Sequence, residues 1–209
     1  MNYQNDTILE FSEKLSSKAS VPGGGSLTAI ISGLSTSLML MVCNISKSNK
    51  NLEKYKDELQ EIIKKLENIN NIFFNFSNED AINLQKLMDS YKLKKESKDD
   101  IDHRKKEIEK NLKQAISVPL NTLKLTIDAL EILKNILDKS SKMLISDIGV
   151  SAFCFESVLN NAYLNILINT KYLKDLAEKE EINSKAKILL NKGLESVDLI
   201  TKEVLKEVE

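Results

Sequence analysis

Helix breakers are scarce in this chain, with 2 prolines and 6 glycines among 209 residues. Sheet proteins and loop-rich repeats need such residues at their many turns, so this scarcity points away from both and toward a few long helices. Tryptophan is absent and aromatics reach only 5%. Cys43 and Cys154, the only two cysteines, stand in apolar surroundings with no CxxC pair and no neighbouring histidine. That leaves little basis for a disulfide framework or a structural zinc site, and fits reduced thiols. The single histidine, His103, lies among charges, which favours an exposed structural role over a metal site or a catalytic triad. No metal is expected. Nor does either charge sign prevail: 30 basic and 31 acidic residues leave a formal charge of -1, which argues against a nucleic-acid partner. The opening residues lack a basic segment followed by an apolar run, so no secretory leader is read and the cytoplasm is the expected compartment.

Against these absences stand long stretches of helical periodicity. Six helices are predicted, over residues 7–16, 27–46, 51–91, a fourth whose apolar positions run from Ile108 to Leu137, 146–177 and 182–208, with no strand and no internal repeat. The third shows Leu52, Tyr55, Leu59, Ile62, Ile63, Leu66, Ile69 and Phe73 at three- and four-residue steps. The fourth contains Pro119, which removes one backbone hydrogen bond and should kink it. Between Lys92 and Lys113, nine Lys/Arg and six Asp/Glu mark a solvated turn and the charged start of a helix. The second helix is apolar nearly all round, so other helices must enclose it. Its length would suit a membrane span, yet Thr28, Ser32, Ser35, Thr36 and Ser37 interrupt it and no basic anchor flanks it. A core helix with no membrane partner is the reading. The expected architecture is one all-α bundle with this small-residue helix at its centre.

Three of the six glycines stand together, in Val21-Pro-Gly-Gly-Gly-Ser26, at the mouth of that helix. Gly23, Gly24 and Gly25 can take positive φ and let a ligand or another backbone come close. The first amides of the helix carry the positive end of its dipole and lack intrahelical partners, so the turn could cradle an anion or the polar edge of a ligand. No Gly-Lys-Ser/Thr follows, so this is not a phosphate-binding loop. The plainer alternative is a tight turn with Ser26 as N-cap.

Two carboxylates invite the same weighing. Asp147, in Ile145-Ser-Asp-Ile-Gly149, is either a helix cap or a carboxylate in a semi-buried site suited to proton transfer. Asp80 follows the apolar Phe73-Phe74-Asn75-Phe76 and is either a solvated helix residue or a similar acid. Asn165 and Asn169 share a helix face among aliphatics. They either stitch helices together or read a polar ligand.

Taken in order, Ser17-Lys-Ala-Ser-Val-Pro-Gly-Gly-Gly-Ser26, Glu79-Asp-Ala81, Tyr91-Lys-Leu93, Arg104, Gln114-Ala-Ile-Ser-Val-Pro-Leu120, Ser146-Asp-Ile-Gly-Val150 and Tyr163-Leu-Asn-Ile-Leu-Ile-Asn169 resemble one known domain. It is the cyclodeaminase/cyclohydrolase domain of the formiminotransferase-cyclodeaminase family, and the likeness spans nearly the whole chain. It departs from the family pattern at Asn78, at Asn83-Leu84, at Lys94 and at Ser140-Ser141.

The resemblance implies an all-helical homodimer acting on a tetrahydrofolate derivative, with release of ammonia from 5-formiminotetrahydrofolate to give 5,10-methenyltetrahydrofolate. Opening of the methenyl ring by water is the nearest alternative activity. It further implies Asp147 and Asp80 as the acid–base pair. Gly23, Gly24, Gly25 and Ser26 would lie along the ligand, with Ser146 among the substrate contacts. Asn165, with Asn169, would hold the pterin edge, and Lys92 and Arg104 would meet the glutamate or polyglutamate tail. Readings from other classes are a folate-binding bundle without activity and a membrane-inserting bundle.

Overall fold

The protein is described from a computed structural model covering residues 2–209, in which the described residues form helices and turns and no strand. A 3-10 turn, Tyr3–Asn5, leads into α1 (Ile8–Leu15). Then come α2 (Gly24–Lys47), a second 3-10 turn (Lys50–Tyr55), α3 (Lys56–Tyr91) and α4 (Lys98–Ile136). Two short 3-10 turns separate α4 from α5 (Ile145–Thr170), and α6 (Leu176–Val208) closes the chain. Local chemistry explains several starts. Thr7 with Glu10, and Ser97 with Asp100, form reciprocal capping boxes for α1 and α4. Asp175 caps α6 by accepting the amides of Ala177 and Glu178 at 2.9 and 3.0 Å.

The main core gathers Met39, Val42 and Cys43 from α2, Phe73 from α3, Leu130 and Leu133 from α4, Phe155 and Leu159 from α5, and Ile200 from α6. Small residues set the spacing between these helices. A Cβ on Gly33 would fall within 2.7–2.8 Å of the Phe74 ring, so α2 and α3 approach there only because position 33 has no side chain. Buried hydroxyls on α2 find acceptors within the helix. Thr28, Ser32 and Thr36 donate to the carbonyls four residues earlier at 2.7, 2.8 and 2.9 Å. Ser35 instead donates across to the Ser151 carbonyl at 3.0 Å, joining α2 to α5.

Four expectations need correction. The second helix starts at Gly24, not at residue 27, with Gly23 in extended backbone as its N-cap. Ser26 is therefore a first-turn residue and not the cap. None of the glycines has positive φ, so backbone freedom is not what selects the triplet. The fifth helix ends at Thr170, seven residues early. The Thr170 hydroxyl there bonds Asn183 Oδ1 at 2.7 Å, and Asp175 starts the sixth helix at Leu176. Finally, α2 is not enclosed all round within the chain, because Leu34, Met41 and Ile45 are exposed. α4 passes through Pro119 as one continuous helix. By length and composition, the stretches Gly24–Lys47 and Lys142–Thr170 could each cross a membrane, and each buries part of its surface in the bundle.

Candidate functional site

The site grows from the meeting of α2 and α3. The first amides of α2 have no carbonyl partners within the helix, and Gly23 has no side chain to cap them. Asp80, in the second half of α3, supplies the acceptor from outside. Its carboxylate takes the Ser26 hydroxyl at 3.0 Å and the Ser26 backbone amide. A carboxylate can lie this close to the helix start only if nothing projects from Gly25. A Cβ there would sit 2.7 Å from Asp80 Oδ2 and nearer still to Oδ1 and Cγ, whereas ordinary contact begins near 3.4 Å. Gly24 and Gly23 are less constrained, with nearest neighbours Asn165 Oδ1 at 3.7 Å and the Ser20 carbonyl at 3.9 Å.

Burial raises the Asp80 carboxyl above its ordinary range, and the two Ser26 hydrogen bonds offset only part of that rise. Desolvation disfavours the charged form more than the helix-end amides favour it. The result is a carboxylate of increased basicity, anchored by Ser26.

This carboxylate faces a cavity of about 440 Å³ between α2, α3, α4 and the end of α5. Gly24, Gly25, Asp80, Asn165 and Asn169 supply its polar edge. Leu84, Leu87, Met88, Leu112, Ile168 and the rings of Tyr91 and Tyr172 form apolar walls. Among the described residues the Asn165 side chain has no hydrogen-bond partner, so its carbonyl and amino groups remain available to a ligand. Asn169 is partly engaged, its side-chain amide donating to the Asn165 backbone carbonyl at 2.8 Å. Pro119 contributes indirectly: lacking an amide, it leaves the carbonyl of Ala115, on the cavity wall, without its usual i+4 donor. One polar edge, one carboxylate of raised basicity and apolar walls suit a largely apolar ligand with one polar edge that undergoes proton transfer.

The remaining predicted residues divide by place. Arg104 lies against Tyr91, with its guanidinium 6.0 Å from the ring centroid and Nη2 donating to the Tyr91 carbonyl at 3.2 Å. Its Nε is buried without a hydrogen-bond partner. Lys92 is exposed at the end of α3 and pairs with Asp89 at 2.8 Å, outside the cavity lining. Ser146 and Asp147 occupy the first turn of α5, whereas Asn165 lies near its last. At 1.5 Å per residue that separation is about 27 Å along the helix. Within one chain, therefore, Asp147 does not meet Asp80. Asn78, where the family pattern has an acid, accepts the Tyr3 amide at 2.7 Å and ties the N-terminal turn to α3. Ser140 and Ser141 lie before α5, where the Ser141 amide donates to Ser46 Oγ at 3.0 Å. Leu84, Met88, Ile168 and Tyr172 were not foreseen as site residues. Only the continuation of the α3 stripe through 84, 87, 88 and 91 could have signalled the first two.

Residues 7–188 match the family model described as formiminotransferase-cyclodeaminase. The chain is 29% identical over 177 residues to the methenyltetrahydrofolate cyclohydrolase of Methylorubrum extorquens, covering 85% of each protein. It is 24% identical over 196 residues to the formimidoyltransferase-cyclodeaminase of Mus musculus, where 93% of this chain spans 36% of that one. Among solved structures, formiminotetrahydrofolate cyclodeaminase from Thermotoga maritima shares the fold. It superposes with a TM-score of 0.82 at 22% identity, over 97% of this chain and 98% of that one.

Proposed function

We propose the following reaction from the premise that this chain belongs to the formiminotransferase-cyclodeaminase family: it acts on the one-carbon unit bridging N5 and N10 of tetrahydrofolate, closing 5-formiminotetrahydrofolate to 5,10-methenyltetrahydrofolate with loss of ammonia. The observation that carries it is the half-buried carboxylate of Asp80, made more basic by desolvation and held by the start of α2 at the edge of a cavity with a polar edge and apolar walls.

In this reading the pterin lies between the leucine and tyrosine walls, with Asn165 pairing its polar edge. N10 attacks the formimino carbon and the carbon–nitrogen double bond becomes single, giving a tetrahedral adduct whose carbon bears N5, N10 and the amine. Asp80 accepts the N10 proton. The formimino nitrogen takes up a proton and leaves as ammonia as its carbon–nitrogen bond breaks, giving the methenyl bridge. Arg104, at the Tyr91 end of the cavity, meets the glutamate tail, and the working unit is a homodimer.

A second reading is favoured by one finding. The cyclohydrolase of Methylorubrum extorquens is matched over 85% of its length, whereas the mouse enzyme is matched over about a third. The same carboxylate would then take a proton from water as its oxygen attacks the methenyl carbon; one ring carbon–nitrogen bond of the adduct next breaks as that nitrogen takes up a proton and the hydroxyl loses one, leaving a formyl group. The test follows methenyltetrahydrofolate absorbance and ammonia together. A rise in both on adding 5-formiminotetrahydrofolate supports cyclodeaminase. Accelerated loss of added methenyltetrahydrofolate without ammonia supports cyclohydrolase, and inertness toward both overturns the folate reading.

A further inference from the structure

Behind Asp80, on the side away from the cavity, stands the N-terminal segment. Tyr3, Phe11 and Val21 are buried and form a small apolar cluster with Ala81, the residue next to Asp80 on α3. None of these four lines the cavity, but Leu84 belongs to both places: it packs on this cluster and forms part of the cavity wall. Cluster and cavity therefore meet across a single turn of α3, from residue 80 to residue 84. The Tyr3 phenol lies near enough to feel the charge of the Asp80 carboxylate.

The segment is a loop with two fixed ends. At one end the Tyr3 amide donates to Asn78 Oδ1 at 2.7 Å, two residues before Asp80, and Gln4 Nε2 donates to Asn75 Oδ1 at 2.5 Å. At the other end the buried Val21 and Pro22 run into Gly23 and the first turn of α2, whose Ser26 holds the same carboxylate. Between these ends α1 is lightly attached. Phe11 is its one buried residue, set edge-on to the Tyr3 ring at 5.6 Å, while Ile8 and Leu9 are exposed. So few buried contacts hold a helix weakly, which leaves the tethers at Asn75 and Asn78 and the pair of rings to fix it.

What such a segment excludes is water. The hydrogen bonds that Asp80 accepts come from Ser26, and desolvation outweighs them. The other elements bring uncharged groups toward the carboxylate: Thr122 from α4, Asn165 from α5, and the phenols of Tyr91 and Tyr172 across the cavity. Lys14 and Asp6, which act on the Tyr3 phenol, pair with each other at 2.7 Å. Glu79, its neighbour in sequence, is exposed. Access of water, more than any charge, thus decides how Asp80 behaves.

We propose that the N-terminal segment is a seal behind the reacting carboxylate, with Tyr3 as a positioning residue whose ring, docked through Asn78, keeps bulk water from reaching Asp80 from behind. Removing the ring or its tether hydrates the carboxylate, and its hold on a proton falls toward that of an ordinary aspartate. The consequence for turnover rests on the folate reading above; the seal itself does not.

The test uses four variants of the full chain. Tyr3→Ala and Asn78→Ala open the seal in different ways, Tyr3→Phe keeps the ring, and Leu9→Ala alters only the exposed face of α1. The Asp80 carboxyl is titrated by NMR in protein labelled with carbon-13 at aspartate carboxyls, its signal identified by comparison with Asp80→Asn. The pH dependence of kcat/KM is followed alongside. In Tyr3→Ala and Asn78→Ala both midpoints should move down toward about 4, the ordinary aspartate value, while Tyr3→Phe and Leu9→Ala keep the wild-type midpoints. Variants that only melt at lower temperature, with the Asp80 midpoint unmoved, overturn the seal. So does a Tyr3→Phe midpoint that falls as far as that of Tyr3→Ala, since the hydroxyl and not the ring would then be responsible. A carboxyl midpoint that moves while the acid limb of kcat/KM stays overturns the positioning role. If Tyr3→Ala does not fold, Asn78→Ala decides by the same criteria. If wild-type protein turns over neither folate, the folate reading falls, and the carboxyl titration still decides the seal.

Discussion

Adding one methyl group at Gly25 should disable the site, while the same change two residues earlier should not. The Gly25 Cβ would lie 2.7 Å from Asp80 Oδ2 and closer to Cγ and Oδ1, so carboxylate or helix must retreat by about 1 Å to reach ordinary contact. A displacement of that size at a reacting group costs about 10²-fold in rate, and overpacking typically costs about 1–3 kcal/mol of stability. At Gly23 the nearest atom is 3.9 Å away and the backbone is already extended, so alanine fits. Its cost is that of a poorer N-cap, on the order of a few tenths to 1 kcal/mol. Gly24→Ala meets only Asn165 Oδ1 at 3.7 Å and should fold normally. Thermal melts by circular dichroism and turnover by methenyltetrahydrofolate absorbance, run on all three variants, give the comparison. Wild-type turnover and stability in Gly25→Ala would refute the contact between Asp80 and the start of α2.

Asp80→Asn keeps an acceptor for Ser26 while removing the buried charge, so turnover should fall by about 10²-fold or more with no loss of melting temperature at neutral pH. Because burial raises the folded pKa above the unfolded one, wild type should lose stability relative to Asp80→Asn as pH rises through the Asp80 pKa. Parallel pH-dependent melts check the sign; wild type gaining over the same range would reverse the argument. The acid limb of wild-type kcat/KM should likewise fall above the ordinary aspartate value of about 4, read from a pH–rate profile. Asn165→Leu removes groups with no protein partner, so kcat/KM should drop about 10²-fold while the melting temperature holds. Arg104→Gln should raise KM about tenfold for a substrate with its glutamate tail and change little for an analogue without one.

The helices were legible because their periodicity depends on neighbours in sequence, and the apolar steps of the third helix named its share of the core, from Leu59 to Phe73, directly. Errors fell where tertiary partners decide. α2 starts at Gly24 because a carboxylate from α3 stands in for the missing cap, which no local signal at Gly23 could announce. The glycines were read for positive φ and for the close approach of a ligand or another backbone; no φ is positive, and what comes close at Gly25 is the Asp80 carboxylate. Asp80, Asn165 and the glycine turn were each named from sequence and meet at one cavity. Asp147 was named beside them, although a straight helix holds it far from Asn165 within the chain. Motif order carries chemistry but not distance. The apolar walls at Leu84, Met88 and Ile168 were invisible as site residues because an aliphatic lining a cavity has the same pattern as one filling a core.

The most direct test of the central claim mixes wild-type protein, and separately Asp80→Asn, with 5-formiminotetrahydrofolate and with methenyltetrahydrofolate, following the methenyl absorbance and ammonia. The account predicts turnover of one of these folates by wild type, lost by about 10²-fold or more in a variant that melts no lower. Undiminished turnover in Asp80→Asn, or none in folded wild type, would contradict it.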